Sequence, residues 1–346
     1  MITCCMIFFP NQSNITMVLF SFLGSAIAAG GVVFLLASSL PDGLKPVKMA
    51  IIGTIIGTFL SSVATALATY FQTSQNISFW YNARLHQLEP TLLKVVLPFA
   101  CIGLFLAIAI SKQMTVLSLG TDVAKGLGQR DRLIKLLAGL AVVILTGCSV
   151  SLAGNIGFVG LIIPHISRFL VGVDFKWTIP FAGLLGSVFL AFADIGSRFL
   201  NYPFETPISV VTATIGVPFF LYLIKSRGGG AHMQQNQAKG RKFIRISTIL
   251  ILGFLLVFYF SLTYGEFSMT LTDVVRTLLR MDESDDNQLV IFTFRLPRIV
   301  IGILVGLGLG IAGAILQALT RNELADPGIL GSMLVRVLRL FCICIR

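Results

Sequence analysis

Residues 154–168 read Gly-Asn-Ile-Gly-Phe-Val-Gly-Leu-Ile-Ile-Pro-His-Ile-Ser-Arg, within a chain that is otherwise apolar enough to enter a membrane. Glycine, proline, histidine and arginine are costly in lipid unless they face protein or a water-filled path. The stretch is therefore predicted to lie inside a bundle of membrane helices, where it does more than anchor the chain.

The composition supports a membrane bundle. The chain has 346 residues, of which 55% are hydrophobic and 12% charged, and its mean hydropathy is +0.90. An ordinary soluble domain has about 25% charged residues. The sequence thus predicts an all-α, polytopic membrane protein that contacts lipid. The net charge of +11 comes from short basic loops, which lack the length and the aromatic residues expected for nucleic-acid binding.

Nine apolar stretches are long enough to be membrane spans, each of which needs about 20 residues. The loops 38–47, 112–132 and 225–243 contain most of the Lys and Arg between the spans, so they are predicted to be cytoplasmic. The acidic connection 264–297 then lies outside, as a solvated loop. The predicted spans are 17–37, 48–71, 92–111, 133–153, 156–172, 178–200, 206–224, 244–263 and 298–319.

Chemical motifs of enzymes are missing from the sequence. No Cys/His spacing matches a zinc site, and no Walker A loop is present. No set of acid, base and nucleophile stands out either. We therefore expect no catalytic residues, no cofactor and no metal ligands, and we expect that any ATP is hydrolysed by a partner.

Three segments resemble the FecCD family, whose members are permease subunits of ABC importers for iron-siderophores, haem and vitamin B12. The segments are 117–128, 154–168 and 205–220. They make residues 17–224 similar to the C-terminal seven helices of such a permease. The resemblance implies a bundle of the FecCD and vitamin B12-permease type.

A second stretch, 244–331, resembles the first two helices of another FecCD permease. The run Arg295-Leu-Pro-Arg298 and the segment 317–331 carry this likeness, and the wording Glu-Leu-Ala-Asp-Pro-Gly-Ile-Leu-Gly at 323–331 looks like the ferrichrome type. The polar segment 225–243 is predicted to be a cytoplasmic linker, and 1–16 and 332–346 are atypical tails. The chain is thus expected to join the C-terminal part of one permease to the N-terminal part of a second.

The resemblance also implies functional residues. Two short helical stretches within 118–131, with Gly126 and Gly128 at the turn between them, are expected to couple the permease to an ATPase. The coupling residues are Leu117, Leu119, Gly120, Asp122, Ala124, Gly126 and Gly128. Arginines that dock a binding protein, or that snorkel at the membrane edge, are Arg198, Arg295 and Arg298.

A third set lies within the spans and is assigned to the translocation path or to packing: Gly157, Gly160, Pro164, His165 and Asp194. Pro164 frees a backbone carbonyl, which His165 or Ser167 is expected to satisfy. His165 is either a gating contact or a packing residue. Asp194 is either a functional intramembrane acid or the partner of Arg198, four residues on. The role of Gln317, structural or gating, stays open.

The implied function is a permease subunit of an importer of iron(III)-siderophore, of hydroxamate type, in a bacterial cytoplasmic membrane. Its expected partners are a cytoplasmic ABC ATPase, an extracytoplasmic siderophore-binding protein and a second permease subunit. The alternatives are a haem or cobalamin permease of the same family, an inactive truncated or fused product, and an ion-coupled secondary transporter.

Overall fold

The structure, a computed structural model, describes residues 90–201, 205–227, 240–263, 269–279 and 285–320, with scattered positions from 59 to 72 and residue 325. All regular elements in these ranges are helices. They are α1 (Pro90–Ala109), α2 (Ser111–Leu119), α3 (Thr121–Gly126), α4 (Asp131–Ala153), α5 (Val159–Val171), α6 (Phe175–Phe199), α7 (Ile208–Arg227), α8 (Gly240–Thr263), α9 (Leu271–Leu278), α10 (Asp285–Gln288), a π-helical turn (Leu289–Arg295) and α11 (Leu296–Thr320).

The predicted spans from 92 onward coincide with α1, α4, α5, α6, α7, α8 and α11, and their ends agree within four residues. The span 17–37, and nearly all of 48–71, lie outside the described residues. Within the described part, three helices are each long and apolar enough to cross a membrane, at Asp131–Ala153, Phe175–Phe199 and Asp286–Thr320. The pair α1 and α2, bent by 51°, makes a fourth if it is one span. The prediction of an all-α membrane bundle is confirmed.

Helix α11 is the centre of this bundle. It packs against α4, α5 and α6, and 78% of an 18-residue apolar stretch within Asp286–Thr320 is buried inside the bundle. The helices around it have exposed outer faces with large apolar side chains. Examples on α1, α4, α6 and α8 are Phe105, Leu136, Phe192 and Leu255. Large apolar side chains on an outer surface suit helices that face lipid.

Small residues bring α11 into backbone contact with its neighbours. A Cβ atom added at Gly306 would overlap the carbonyl oxygen of Gly186 in α6, and one added at Gly310 would overlap that of Ala182. At Gly313 the overlap would be with the carbonyl oxygen of Gly160 in α5. Membrane helices associate through such close packing, because lipid supplies no hydrophobic drive between them. We call the α11 positions 306, 310 and 313, with the backbone they touch, the glycine seam.

Candidate functional site

Helices α2 and α3 form a compact element between the long helices α1 and α4. Leu117 and Ala124 are buried on its inner side, whereas Leu119, Val123 and Leu127 are exposed by 63%, 48% and 69%. Asp122 and Lys125 are exposed beside them. The outer side therefore presents apolar side chains among charged ones, as a protein-binding surface does.

The turn between the two short helices lies at Gly120. This residue has φ 141° and ψ 148° and caps both α2 and α3, a conformation that side-chain-bearing residues rarely adopt. The prediction that Gly126 and Gly128 form this turn is wrong. Gly126 is the last residue of α3, and Gly128, with φ 73°, ends the element after α3. The sequence could not separate three glycines spaced so closely.

Side-chain hydrogen bonds fix this element to the bundle. Thr115 of α2 donates to the Asp174 carboxylate, at 2.9 Å, and accepts from the backbone N–H of Phe175, also at 2.9 Å. A further bond lies within the element itself, since the side-chain amide of Gln129, just after α3, donates to the carbonyl oxygen of Gln113 in α2, at 3.1 Å. Since α6 begins at Phe175, α2 lies at the N-terminal end of α6, and the 25 residues of α6 carry the chain about 37 Å to the other end.

The segment 154–168 enters the bundle through an irregular turn. Gly154 has φ 70° and Phe158, a non-glycine residue, has φ 69°. The Phe158 side chain fills the space beside Gly216 in α7, where an added Cβ would lie 2.5 Å from it. A left-handed Phe costs of the order of 1–3 kcal/mol and persists only where its surroundings hold it. Gly157 has open space around its Cα, so packing does not explain its presence.

Pro164 lies inside α5 without ending the helix. Proline has no N–H, so the carbonyl of Gly160, four residues earlier, loses its helical partner. Gln317 of α11 supplies the replacement, since its side-chain amide donates to the carbonyl oxygens of Gly160 and Leu161, at 3.3 Å each. Ser167, one of the two residues expected to satisfy the freed carbonyl, bonds elsewhere. The buried Ser167 hydroxyl donates to the Ile163 carbonyl instead, at 2.7 Å.

Gln317 has a second role at its other end. Its carbonyl oxygen accepts a hydrogen bond from the Arg168 guanidinium. The Gln317 side chain is 2% exposed and so connects two points of α5 inside the bundle. His165, on the same helix, is half-buried and meets the Phe219 ring edge to face, with centroids 6.2 Å apart. These contacts place the segment 154–168 at a junction of α5, α7 and α11.

A buried group of charges lies at the far end of α6. Asp194 is 4% exposed and pairs with Arg198, at 2.5 Å, as the spacing of four residues predicts. The same carboxylate accepts from the Nε of Arg298 in α11, at 2.9 Å. Arg298 also pairs with Glu205, at 2.6 Å. We call these four residues the ionic cluster.

The structure thus brings the three predicted docking arginines to one end of the bundle, where two of them are buried. Arg295 and Arg298 are 6% and 8% exposed, and Arg295 donates to the carbonyl oxygen of Leu262 in α8. Arg198 also donates to the Ser261 hydroxyl, at 3.1 Å. The contact between Arg298 and Asp194 could not be predicted from a local pattern, because 104 positions separate the two residues.

No group of three or more His, Cys, Asp or Glu side chains that could hold a metal occurs among the residues that the structure describes. The polar chemistry of these residues is instead that of hydrogen bonds and ion pairs. It is concentrated at three places, which are the element α2–α3, the Gln317 junction and the ionic cluster.

The profile of the FecCD transport family matches residues 1–226 and 252–345. The chain is 55% identical over 228 residues to the iron-uptake system permease protein FeuB of Bacillus subtilis, covering 66% of this chain and 68% of FeuB. It is 48% identical over 223 residues to the iron(3+)-hydroxamate import system permease protein FhuB of the same organism, covering 64% and 58%.

A more distant relative is the ferric enterobactin transport system permease protein FepD of Escherichia coli, 34% identical over 207 residues, which cover 59% of this chain and 62% of FepD. The chain therefore spans 58% to 68% of the length of these relatives. No solved structure matches the chain.

Proposed function

The chain belongs to the FecCD transport family, and from that premise we propose that it is a permease subunit of an ABC importer that moves iron(III)-siderophore across a bacterial cytoplasmic membrane. The observation that carries this proposal is the high identity to two iron-uptake permeases, FeuB and FhuB. The resemblance to FhuB, a hydroxamate permease by name, favours a hydroxamate siderophore as cargo. The protein is a multi-pass membrane protein and a transporter subunit, and the ATP is hydrolysed by a separate subunit.

We propose that the element α2–α3 couples the permease to its ATPase. Its turn needs glycine at position 120, and its exposed Leu119, Val123 and Leu127 offer an apolar surface to a partner. The hydrogen bond that Thr115 donates to Asp174, and the one that it accepts from Phe175, tie this surface to α6. A displacement of α2–α3 by the ATPase is thereby transmitted to α6, a helix that crosses the membrane.

We assign the docking of a binding protein to the ionic cluster and Arg295, at the end of α6 remote from the α2–α3 element. Guanidinium groups form bidentate pairs with carboxylates, and this suits recognition of acidic side chains. The Glu205 side chain is 32% exposed, whereas that of Asp194 is 6% exposed. Docking through Arg298 therefore requires an incoming carboxylate to replace Glu205, while Asp194 keeps Arg298 in place.

We assign Gly160, Pro164 and Asp194 to packing. Gly160 touches α11 at Gly313, Pro164 is buried within α5, and Asp194 forms ion pairs inside the bundle. His165 and Gly157 are better candidates for the translocation path. His165 is half-buried beside Phe219, and Gly157 has no packing reason for its lack of a side chain. A second permease subunit completes the path in this proposal.

Complementation tests the proposal. The gene is expressed in one Bacillus subtilis strain that lacks FeuB and in another that lacks FhuB, so that the host supplies the remaining subunits. Uptake of radioactive iron as a hydroxamate complex is expected to recover in the strain without FhuB. Failure in both strains, with the protein present in the membrane, would refute the proposal.

The variants Gly120→Val and Gly139→Val serve as a matched pair in these strains. Gly120 requires a positive φ, whereas a Cβ at Gly139 in α4 meets no atom within 4 Å. The first variant should abolish uptake and the second should preserve it. The haem or cobalamin alternative predicts that an excess of haem or cobalamin, rather than of hydroxamate siderophore, competes with the label.

A further inference from the structure

The two family-matching stretches, 1–226 and 252–345, share one helix bundle in the described part of the chain. Two separate matches normally indicate two domains, each with a core of its own. Here the buried clusters mix both stretches. One cluster combines Val96, Leu152 and Leu190 with Val305 and Leu309.

The contact between the stretches is closest along the glycine seam. Gly306 and Gly310 of the second stretch touch the backbone of α6, and Gly313 touches that of α5. The contacts are also reciprocal, because a Cβ at Gly186 of the first stretch would overlap the carbonyl oxygen of Gly306. A close fit of small residues from both sides indicates an interface shaped for this particular neighbour.

Polar contacts join the stretches at three depths along α11. Arg298 pairs with Asp194 and Glu205 at one end. In the middle, Ser187 donates to the carbonyl oxygen of Ile303, at 3.0 Å. At the other end, the Gln317 amide donates to the Gly160 carbonyl.

Each of these groups needs the other stretch. Without the first stretch, Arg298 loses both carboxylates described here, and the Gln317 amide loses its carbonyl acceptors on α5, a heavy cost within a membrane. Without the second stretch, the carbonyl that Pro164 frees loses its donor. The two stretches therefore complete each other chemically as well as in shape.

We infer that the two family-matching stretches assemble into a single permease bundle through the α11 interface, and that the covalent connection between them is dispensable for this assembly. The face of α4, α5 and α6 is a docking surface for a helix with the Gly306, Gly310 and Gly313 spacing and with Arg298 and Gln317 at its two ends. The inference concerns assembly and does not depend on the cargo.

Cleavage of the full chain tests this inference. A recognition site for a sequence-specific protease is inserted between Met233 and Gln234, and the protein is expressed with a different tag at each end. After complete cleavage in membranes and extraction in a mild detergent, the first tag is captured. The second fragment is expected to be recovered with it in nearly equal amount. Separation of the fragments would overturn the inference.

Two variants locate the interface. Gly306→Leu places a side chain against the α6 backbone and should release the second fragment after cleavage. Gly253→Leu in α8 is the matched control, since a Cβ there meets no atom within 4 Å, and its fragments should stay together. Equal retention in both variants would contradict the assignment of the interface to the glycine seam.

A cross-link gives a second readout that does not need a bulky substitution. A Cβ at Gly308 would lie 2.6 Å from the Ser149 hydroxyl oxygen, so Ser149→Cys and Gly308→Cys should form a disulfide upon oxidation in a cysteine-free background. After protease cleavage the two fragments should then migrate as one band until a reductant is added. If Gly306→Leu protein fails to accumulate, this experiment decides, and the absence of a cross-link would overturn the inference.

Discussion

Asp194 is the residue whose loss should affect the bundle most. It is 4% exposed and holds two arginines from two helices, Arg198 at 2.5 Å and Arg298 at 2.8 Å. Asp194→Asn keeps the shape of the side chain but leaves both guanidinium groups without this charge. Removing one partner of a buried ion pair costs about 3–5 kcal/mol. Arg298 keeps Glu205, so we expect about 3 kcal/mol, the lower end of that range.

The measurement is reversible unfolding in mixed detergent, followed by helical circular dichroism. A loss of about 3 kcal/mol is more than a hundredfold change in the unfolding equilibrium. Asp131→Asn is the matched control, because Asp131 also pairs with a cation four residues on, Lys135, at 3.3 Å. The side chains of Lys135 and Asp131 are 41% and 23% exposed, and ion pairs that water can reach contribute little, so the control should unfold like the unmodified protein. If Asp194→Asn did the same, the ionic cluster would not stabilise the fold.

Three further changes address the other sites. Gln317→Leu removes the donor to the Gly160 carbonyl and should cost about 1–3 kcal/mol in the same unfolding assay, whereas an unchanged stability would show that water or another group serves the carbonyl. Gly128→Val, at a φ of 73°, should abolish iron uptake without reducing membrane insertion, and persistent uptake would refute the coupling assignment. Arg295→Glu should weaken binding of the host's binding protein to membranes that carry the permease, more at low salt than at high salt, and an unchanged affinity would return Arg295 to a structural role.

The helices were predictable because each carries its own signal. Long apolar stretches bounded by polar loops predicted seven of the helices from Pro90 onward, namely α1, α4, α5, α6, α7, α8 and α11, with small errors at their ends. The ion pair between Asp194 and Arg198 was also predictable, since a spacing of four residues places both side chains on one face of a helix.

The errors arose where the outcome depends on distant residues. Pro164 correctly predicts that the carbonyl of Gly160 loses its helical partner. The replacement donor is Gln317, 157 positions from Gly160, and no local pattern identifies it. The burial of Arg298 has the same origin, because its carboxylate partners lie on the other stretch of the chain. At Gly120 the difficulty was local, since three nearby glycines offered the same conformational freedom, and both Gly120 and Gly128 have a positive φ.

The energy source of transport tests the central claim most directly. In the complemented strain, uptake of radioactive hydroxamate iron is measured with an uncoupler that collapses the proton gradient while ATP is maintained, and then with ATP depleted while the gradient is kept. An ABC permease predicts that uptake continues in the first condition and stops in the second. Uptake that stops with the uncoupler and continues without ATP would contradict the account and identify an ion-coupled secondary transporter.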